Sequence, residues 1–181
     1  MINIPILLTV ARIIIVPFLV QAILAHQFEH AVILLFCAAV SDALDGALAR
    51  FLQQETTLGA LLDPVADKLL VVACYAALMS IDSEYFTIPR WFIVVVVARE
   101  IVILVGAAYW GLMKRKMAIA PRLLGKLTTA LQLLFIGFLL GISVMQMPLP
   151  TIFNILFSCV TVCVVASLVD YIRIAYKRVV V

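Results

Sequence analysis

Apolar residues run along the chain in six stretches of roughly 20 residues, near 5–25, 31–52, 60–80, 89–112, 122–142 and 151–173, with short polar connections between them. Polar positions inside the stretches are too few to form a wet face, so the pattern predicts helices surrounded by lipid. A closed barrel would need alternating apolar and polar residues over segments of about ten, and continuous runs argue against it. The expected fold class is therefore all-α: a polytopic integral membrane protein with six transmembrane helices, forming one domain over residues 1–181.

Composition points the same way. Hydrophobic residues make up 66% of the chain and charged residues 13%, with mean hydropathy +1.24, whereas soluble domains average about 45–50% and about 25%. Basic residues are shared unequally among the connections. With six spans, Arg50, Lys114, Arg115, Lys116, Arg122, Lys126, Arg173, Lys177 and Arg178 fall on one side, while Arg90 stands with Asp82 and Glu84 on the other. The positive-inside rule then places both termini, the loop in the 50s and the KRK loop in the cytoplasm. The net charge of +3 reads as topology and contact with anionic head groups, with no nucleic acid partner. No basic leader precedes the first stretch, which is expected to remain as a span. Cys37, Cys74, Cys159 and Cys163 lie in apolar runs without a CxxC pair and are expected to pack as thiols.

One segment breaks the apolar pattern: SDALDGALARFLQQETTLGALLDPVADK, residues 41–68. At about 100° per residue, Asp42 and Asp45 share one helix face with Gly46, Ala49 and Arg50, and Asp63 and Asp67 share a face of the next helix with Gly59. A short turn forces the two helices antiparallel, so both carboxylate pairs meet at similar depth. A single intramembrane carboxylate costs about 2.5–3.5 kcal/mol, and four converging acids demand cations. Arg50 and Lys68 supply two charges for four acids, which is not enough. The donors are all carboxylate oxygens, a set suited to hard Mg²⁺ or Mn²⁺. Four acids can hold two ions, the arrangement that serves in-line phosphoryl displacement. Small residues at 46, 49 and 59 leave room for a nucleotide or diphosphate near the backbone, and Arg50 suits phosphate. A helix-capping role would account for one acid only, through the Asp63-Pro64 pair.

The full pattern D-x2-D-G-x2-A-R-x8-G-x3-D-x3-D, met by Asp42, Asp45, Gly46, Ala49, Arg50, Gly59, Asp63 and Asp67, resembles the CDP-alcohol phosphotransferase family. The resemblance implies one or two Mg²⁺ or Mn²⁺ ions on Asp42, Asp45, Asp63 and Asp67. It implies a CDP subsite formed by Asp42, Gly46, Ala49, Arg50 and Gly59, and Asp67 as the general base on the acceptor hydroxyl. It further implies a homodimer in a bacterial inner membrane, with the active site open to the cytoplasm. The opening NIPILLTVAR and the segments LLDPVADKLL and GKLTTALQ resemble the branch that uses CDP-diacylglycerol to make phosphatidylglycerophosphate or cardiolipin. Asn3, Pro5, Thr9 and Arg12 match its N-terminal pattern, and Arg99, Glu100 and Lys126 match positions on the acceptor side.

The acceptor is argued from one departure. Phosphatidylglycerophosphate synthases of this family usually place a second arginine eight residues after the one matching Arg99, and here that position is Ala107. Together with Pro121, five residues before Lys126, this favours phosphatidylglycerol as acceptor and hence cardiolipin synthesis, with glycerol 3-phosphate as the alternative. Arg99 itself either lines the site or pairs with Glu100. Arg122 and Lys126, four apart, either bind acceptor phosphate or anchor the helix at the head groups. Two readings of another kind remain. HQFEH, from His26 to His30, matches a zinc-protease pattern but lies in a short loop on the side opposite the aspartates. Intramembrane acids also suit an ion transporter, although neither inverted repeats nor broken helices are visible.

Overall fold

The computed structural model describes the backbone of residues 4–52, 57–112 and 123–179, and the side chains of residues 10–41, 66, 68–106 and 124–173. Six helices follow one another: α1 (Ile4–Leu24), α2 (Phe28–Leu52), α3 (Thr57–Ser80), α4 (Arg90–Leu112), α5 (Leu123–Met145) and α6 (Pro150–Val179). The described residues are otherwise turns and connections, with no strand among them. Each helix matches one apolar stretch of the sequence to within a few residues, except that α6 continues past the apolar run to Val179. Hydropathy ends at the basic residues there, but no glycine or proline stops the backbone. Asp63 and Pro64 also lie inside α3, not at its start. The capping account of Asp63 is thereby removed.

Two helices end on left-handed residues without being glycine. His26 (φ 58°) closes α1 and Gln146 (φ 52°) closes α5. At the first, the Gln27 N–H donates to the Ala22 carbonyl and the His26 N–H to the Ile23 carbonyl. At the second, the Met147 N–H donates to the Ile142 carbonyl. The bonds from Gln27 and Met147 are six-to-one and that from His26 is the inner bond of the same motif. Together they satisfy carbonyls that the helix end would leave bare. His26 is thereby held outside both helices, its ring edge-on to Phe28 at 5.7 Å, while Glu29 and His30 belong to α2. A helical zinc pair with two histidines four apart on one face does not form.

Helix α1 packs against both α2 and α3, and α5 packs against α2, α3 and α6, with α4 between α3 and α6. One end of the bundle is filled by rings from four helices. Phe153 stacks on Phe157 at 5.7 Å, Phe135 lies 6.0 Å from Phe153, and Tyr75 meets Phe92 edge-on at 5.2 Å. Outer faces are apolar rather than polar: Phe36 is 68% exposed and Leu134 71%, with Phe18, Val94, Ile155 and Val162 also exposed. So large a bare apolar surface is what a lipid-facing protein presents. Among the described residues, Leu124–Met145 and Pro150–Arg173 are long and apolar enough to cross a bilayer. All four cysteines are free thiols, with Cys74 buried.

Candidate active site

The four aspartates are placed by the register of α2 and α3. On α2, the buried residues Ala31, Leu35 and Ala38 are spaced by four and three, and the same rhythm continues to positions 42, 45 and 49. On α3, buried Leu78, Cys74 and Val71 lead back to positions 67 and 63. Both sets of acid positions therefore continue the interior stripes of their helices. Counted at 1.5 Å per residue, they stand about 10–15 Å from the ends that residues 53–56 join. The backbones of Asp42, Asp45, Gly46, Ala49, Arg50, Gly59, Asp63 and Asp67 belong to α2 and α3, and their side chains lie outside the described residues. No group of three or more metal-ligating side chains occurs among the described residues.

At the same depth a polar layer crosses the other helices. The Lys68 Nζ donates to Glu100 Oε2 at 2.5 Å, with 14% and 5% of the two side chains exposed. Arg99 Nη1 donates to the other oxygen, Glu100 Oε1. Arg99 also reaches α5 and α6: Nη2 donates to the Gly125 carbonyl at 3.0 Å, Nη1 to Thr129 Oγ1 at 3.4 Å, and Nε to Ser167 Oγ at 3.4 Å. A guanidinium in a low-dielectric interior persists only when its donors are satisfied, and here all three nitrogens find acceptors. Thr129 hydroxyl in turn donates to the Gly125 carbonyl at 3.1 Å. The pairing of Arg99 with Glu100, open in the sequence, is present. Lys68, counted from sequence among the cations facing the aspartates, is instead engaged by Glu100 on α4.

Of the remaining basic positions, Arg12 is buried on α1 and Lys126 is exposed on α5. Arg122, Asn3 and the Lys114–Lys116 run lie outside the described residues, as do the side chains of Pro5, Thr9 and Ala107. Sequence reasoning missed Ser167, Thr129 and the Gly125 carbonyl as partners of Arg99. The four-residue spacing of Gly125 and Thr129 was a signal, but nothing in the chain announces that Ser167 faces them. Gln132 was missed as well; its side chain is fully buried, and its backbone carbonyl accepts from the Tyr75 hydroxyl at 3.3 Å.

Gly125 has a steric reason to be glycine. A Cβ built there would stand 2.6 Å from the Tyr171 hydroxyl oxygen, while the nearest ring carbons stay at 3.5 Å. Alanine gains about 1 kcal/mol over glycine within a helix, and the tyrosine oxygen opposes that gain. Gly125→Ala should therefore be about 1 kcal/mol more favourable in a Tyr171→Phe background than in the parent. Equal effects in both backgrounds, measured by thermal melting in detergent, would remove the contact as the cause.

Comparison with known proteins bears on what this arrangement does. Residues 2–169 match the family described as CDP-alcohol phosphatidyltransferase. The protein named CDP-diacylglycerol–glycerol-3-phosphate 3-phosphatidyltransferase from Haemophilus influenzae is 35% identical over 178 residues, 96% of this chain and 93% of its own length. The protein of the same name from Escherichia coli K12 is 38% identical over 142 residues, 76% of each chain. A Shigella boydii protein with that name has the same identity and coverage. These names carry glycerol 3-phosphate, so they favour the alternative acceptor over the phosphatidylglycerol inferred from Ala107. One missing arginine and one proline, Ala107 and Pro121, were a thin basis, because other basic positions remain to meet a phosphate. An enzyme's relatives across nearly the whole chain also leave the ion-transporter reading without support. The chain belongs to the CDP-alcohol phosphatidyltransferase family and is a phosphatidyltransferase.

Proposed function

We propose that this protein transfers a phosphatidyl group from CDP-diacylglycerol to glycerol 3-phosphate, releasing CMP, at the cytoplasmic side of a bacterial inner membrane. The observation that carries this reading is the continuation of the interior stripes of α2 and α3 into positions 42, 45, 63 and 67. It is joined by relatives whose names give donor and acceptor. The six helices would all cross the bilayer with both termini in the cytoplasm, in keeping with the apolar outer faces and with the basic residues of alternate connections. A homodimer belongs to the same proposal.

Asp42, Asp45, Asp63 and Asp67 would hold one or two Mg²⁺ or Mn²⁺ ions. The donor set fits: carboxylates only, at backbone positions that continue the interior stripes of α2 and α3, with Lys68 engaged by Glu100. When bound, such ions neutralise diphosphate charge and favour departure of CMP. Gly46, Ala49 and Gly59 keep the cytidine side of the cleft free of bulk, and Arg50 offers a guanidinium fork to the diphosphate. Asp67 accepts the proton of the acceptor's attacking hydroxyl. That oxygen attacks the phosphorus bearing the diacylglycerol, and the bond to the CMP phosphate oxygen breaks.

The acceptor's own phosphate is met by basic residues. Lys126, exposed on α5, and Arg122, one turn earlier in sequence, are the direct ligands in this reading, whereas Arg12 and Arg99 act from within the bundle. Arg99 would have to leave protein partners to touch a substrate.

The test is CMP release by detergent-purified protein given CDP-diacylglycerol and Mg²⁺, with glycerol 3-phosphate and phosphatidylglycerol offered separately. Turnover is expected with glycerol 3-phosphate and to be lost on chelation of the metal. Turnover with phosphatidylglycerol alone would reverse the acceptor assignment and restore the meaning first attached to Ala107.

A further inference from the structure

We infer that Lys68 and Glu100 are positioning residues that set the rotation of α3 and thereby aim Asp67; the inference rests on the proposed role of Asp67. Lys68 follows Asp67 directly, so whatever fixes the azimuth of one fixes the other. The carboxylate of Glu100 has both oxygens occupied, one by Lys68 on α3 and one by Arg99, which is itself bonded to α5 and α6. The azimuth of α3 is in this way referred to three other helices rather than to one neighbour.

Lipid makes such a device useful. A helix apolar on all sides gains nothing from hiding one face in preference to another, since the acyl chains are as apolar as the bundle. The neighbours of Lys68 illustrate this: Ala66, Leu70 and Val71 are buried and Leu69 is exposed, yet all are apolar. Burial of these apolar neighbours therefore does little to fix the azimuth, which falls to the polar positions of the helix. A buried ion pair is different, because separating it strands two charges in a low-dielectric medium. The sensitivity required is small. A carboxylate stands about 5–6 Å from its helix axis, so about 10° of rotation moves it by about 1 Å. Displacement of that size is enough to cost about 10²-fold in rate.

The pair also has a division of labour. Glu100 keeps the Lys68 ammonium on the α4 side of α3, and the same carboxylate anchors the guanidinium that reaches Gly125, Thr129 and Ser167. Loss of Glu100 therefore releases both cations, whereas loss of Lys68 releases only the α3 tether.

The experiment compares Lys68→Met, Glu100→Gln, the Lys68→Met/Glu100→Gln double variant and Lys68→Arg in the full-length, detergent-purified protein. CMP release with glycerol 3-phosphate supplies kcat and both KM values, and thermal melting supplies stability. Lys68→Met should lower kcat by about 30–100-fold with both KM values within about threefold. Lys68→Arg keeps the charge and should retain at least about a third of parental kcat. Lys68→Met leaves Glu100 paired with Arg99. Glu100→Gln and the double variant instead strand the Arg99 guanidinium and should melt lower, with kcat in the double variant at least as low as in Lys68→Met. A Lys68→Met variant that melts below the parent yet turns over like it would overturn the inference, because the pair would then serve stability alone. A raised KM for either substrate with parental kcat would overturn it too, by making the pair a substrate contact. Absence of CMP release from the parent with any acceptor would instead overturn the proposed function.

Discussion

Asp67→Asn should reduce turnover by about 10²–10⁴-fold while leaving the helix and the donor's affinity in place. The change is nearly isosteric, and position 67 continues a stripe whose buried members, Val71, Cys74 and Leu78, are untouched. Asparagine keeps one carbonyl oxygen but has no basic site at neutral pH, so the acceptor hydroxyl loses the group proposed to take its proton. In the proposed site, donor recognition is spread over Asp42, Gly46, Ala49, Arg50 and Gly59, none of which is altered. The measurements are CMP release, and the rise in melting temperature caused by CDP-diacylglycerol with Mg²⁺. A variant with more than about a tenth of parental kcat would dismiss Asp67 as the base. Loss of the donor-induced stabilisation along with turnover would make it a donor or metal ligand first.

Arg99→Met should destabilise the protein by about 3–5 kcal/mol, the range for removing one partner of a buried ion pair. Methionine fills the space of the stem but returns none of the hydrogen bonds to Glu100, Gly125, Thr129 and Ser167. Glu100 would keep Lys68 as its sole cationic partner among those described, and the helices α4, α5 and α6 would lose their shared donor. Reversible unfolding in mixed detergent micelles measures the change. A loss below about 1 kcal/mol would show that the guanidinium is not committed to the protein. That outcome would return Arg99 to the acceptor phosphate, the role its sequence resemblance suggested. The large loss would establish it as the hub of the polar layer.

The chain made much of this legible before any coordinates. Each helix is announced by its own apolar stretch, because length and hydropathy are local properties and no distant partner is needed to satisfy the backbone of a helix. The acid quartet was legible for the same reason: three- and four-residue spacing is enough to put Asp42 with Asp45 and Asp63 with Asp67. Where local signals competed, the reading was less secure. Asp63-Pro64 carries the mark of a helix start, yet α3 begins at Thr57 and runs through it. The acceptor was argued from Ala107 together with Pro121, and the relatives favour the other choice.

Six apolar stretches and eight spaced residues are written in one dimension, so the class of protein and the spacing of its central motif could be read there. Only the tertiary structure decided who partners the cations. Lys68 and Glu100 are separated by 32 positions, and Arg99 and Ser167 by 68, and no periodicity reports contacts across such distances. In a lipid-facing bundle those contacts cannot be inferred from burial patterns either, because inside and outside are equally apolar. Charge pairing in the interior is therefore settled by how the helices are turned, and that is a property of the assembled bundle.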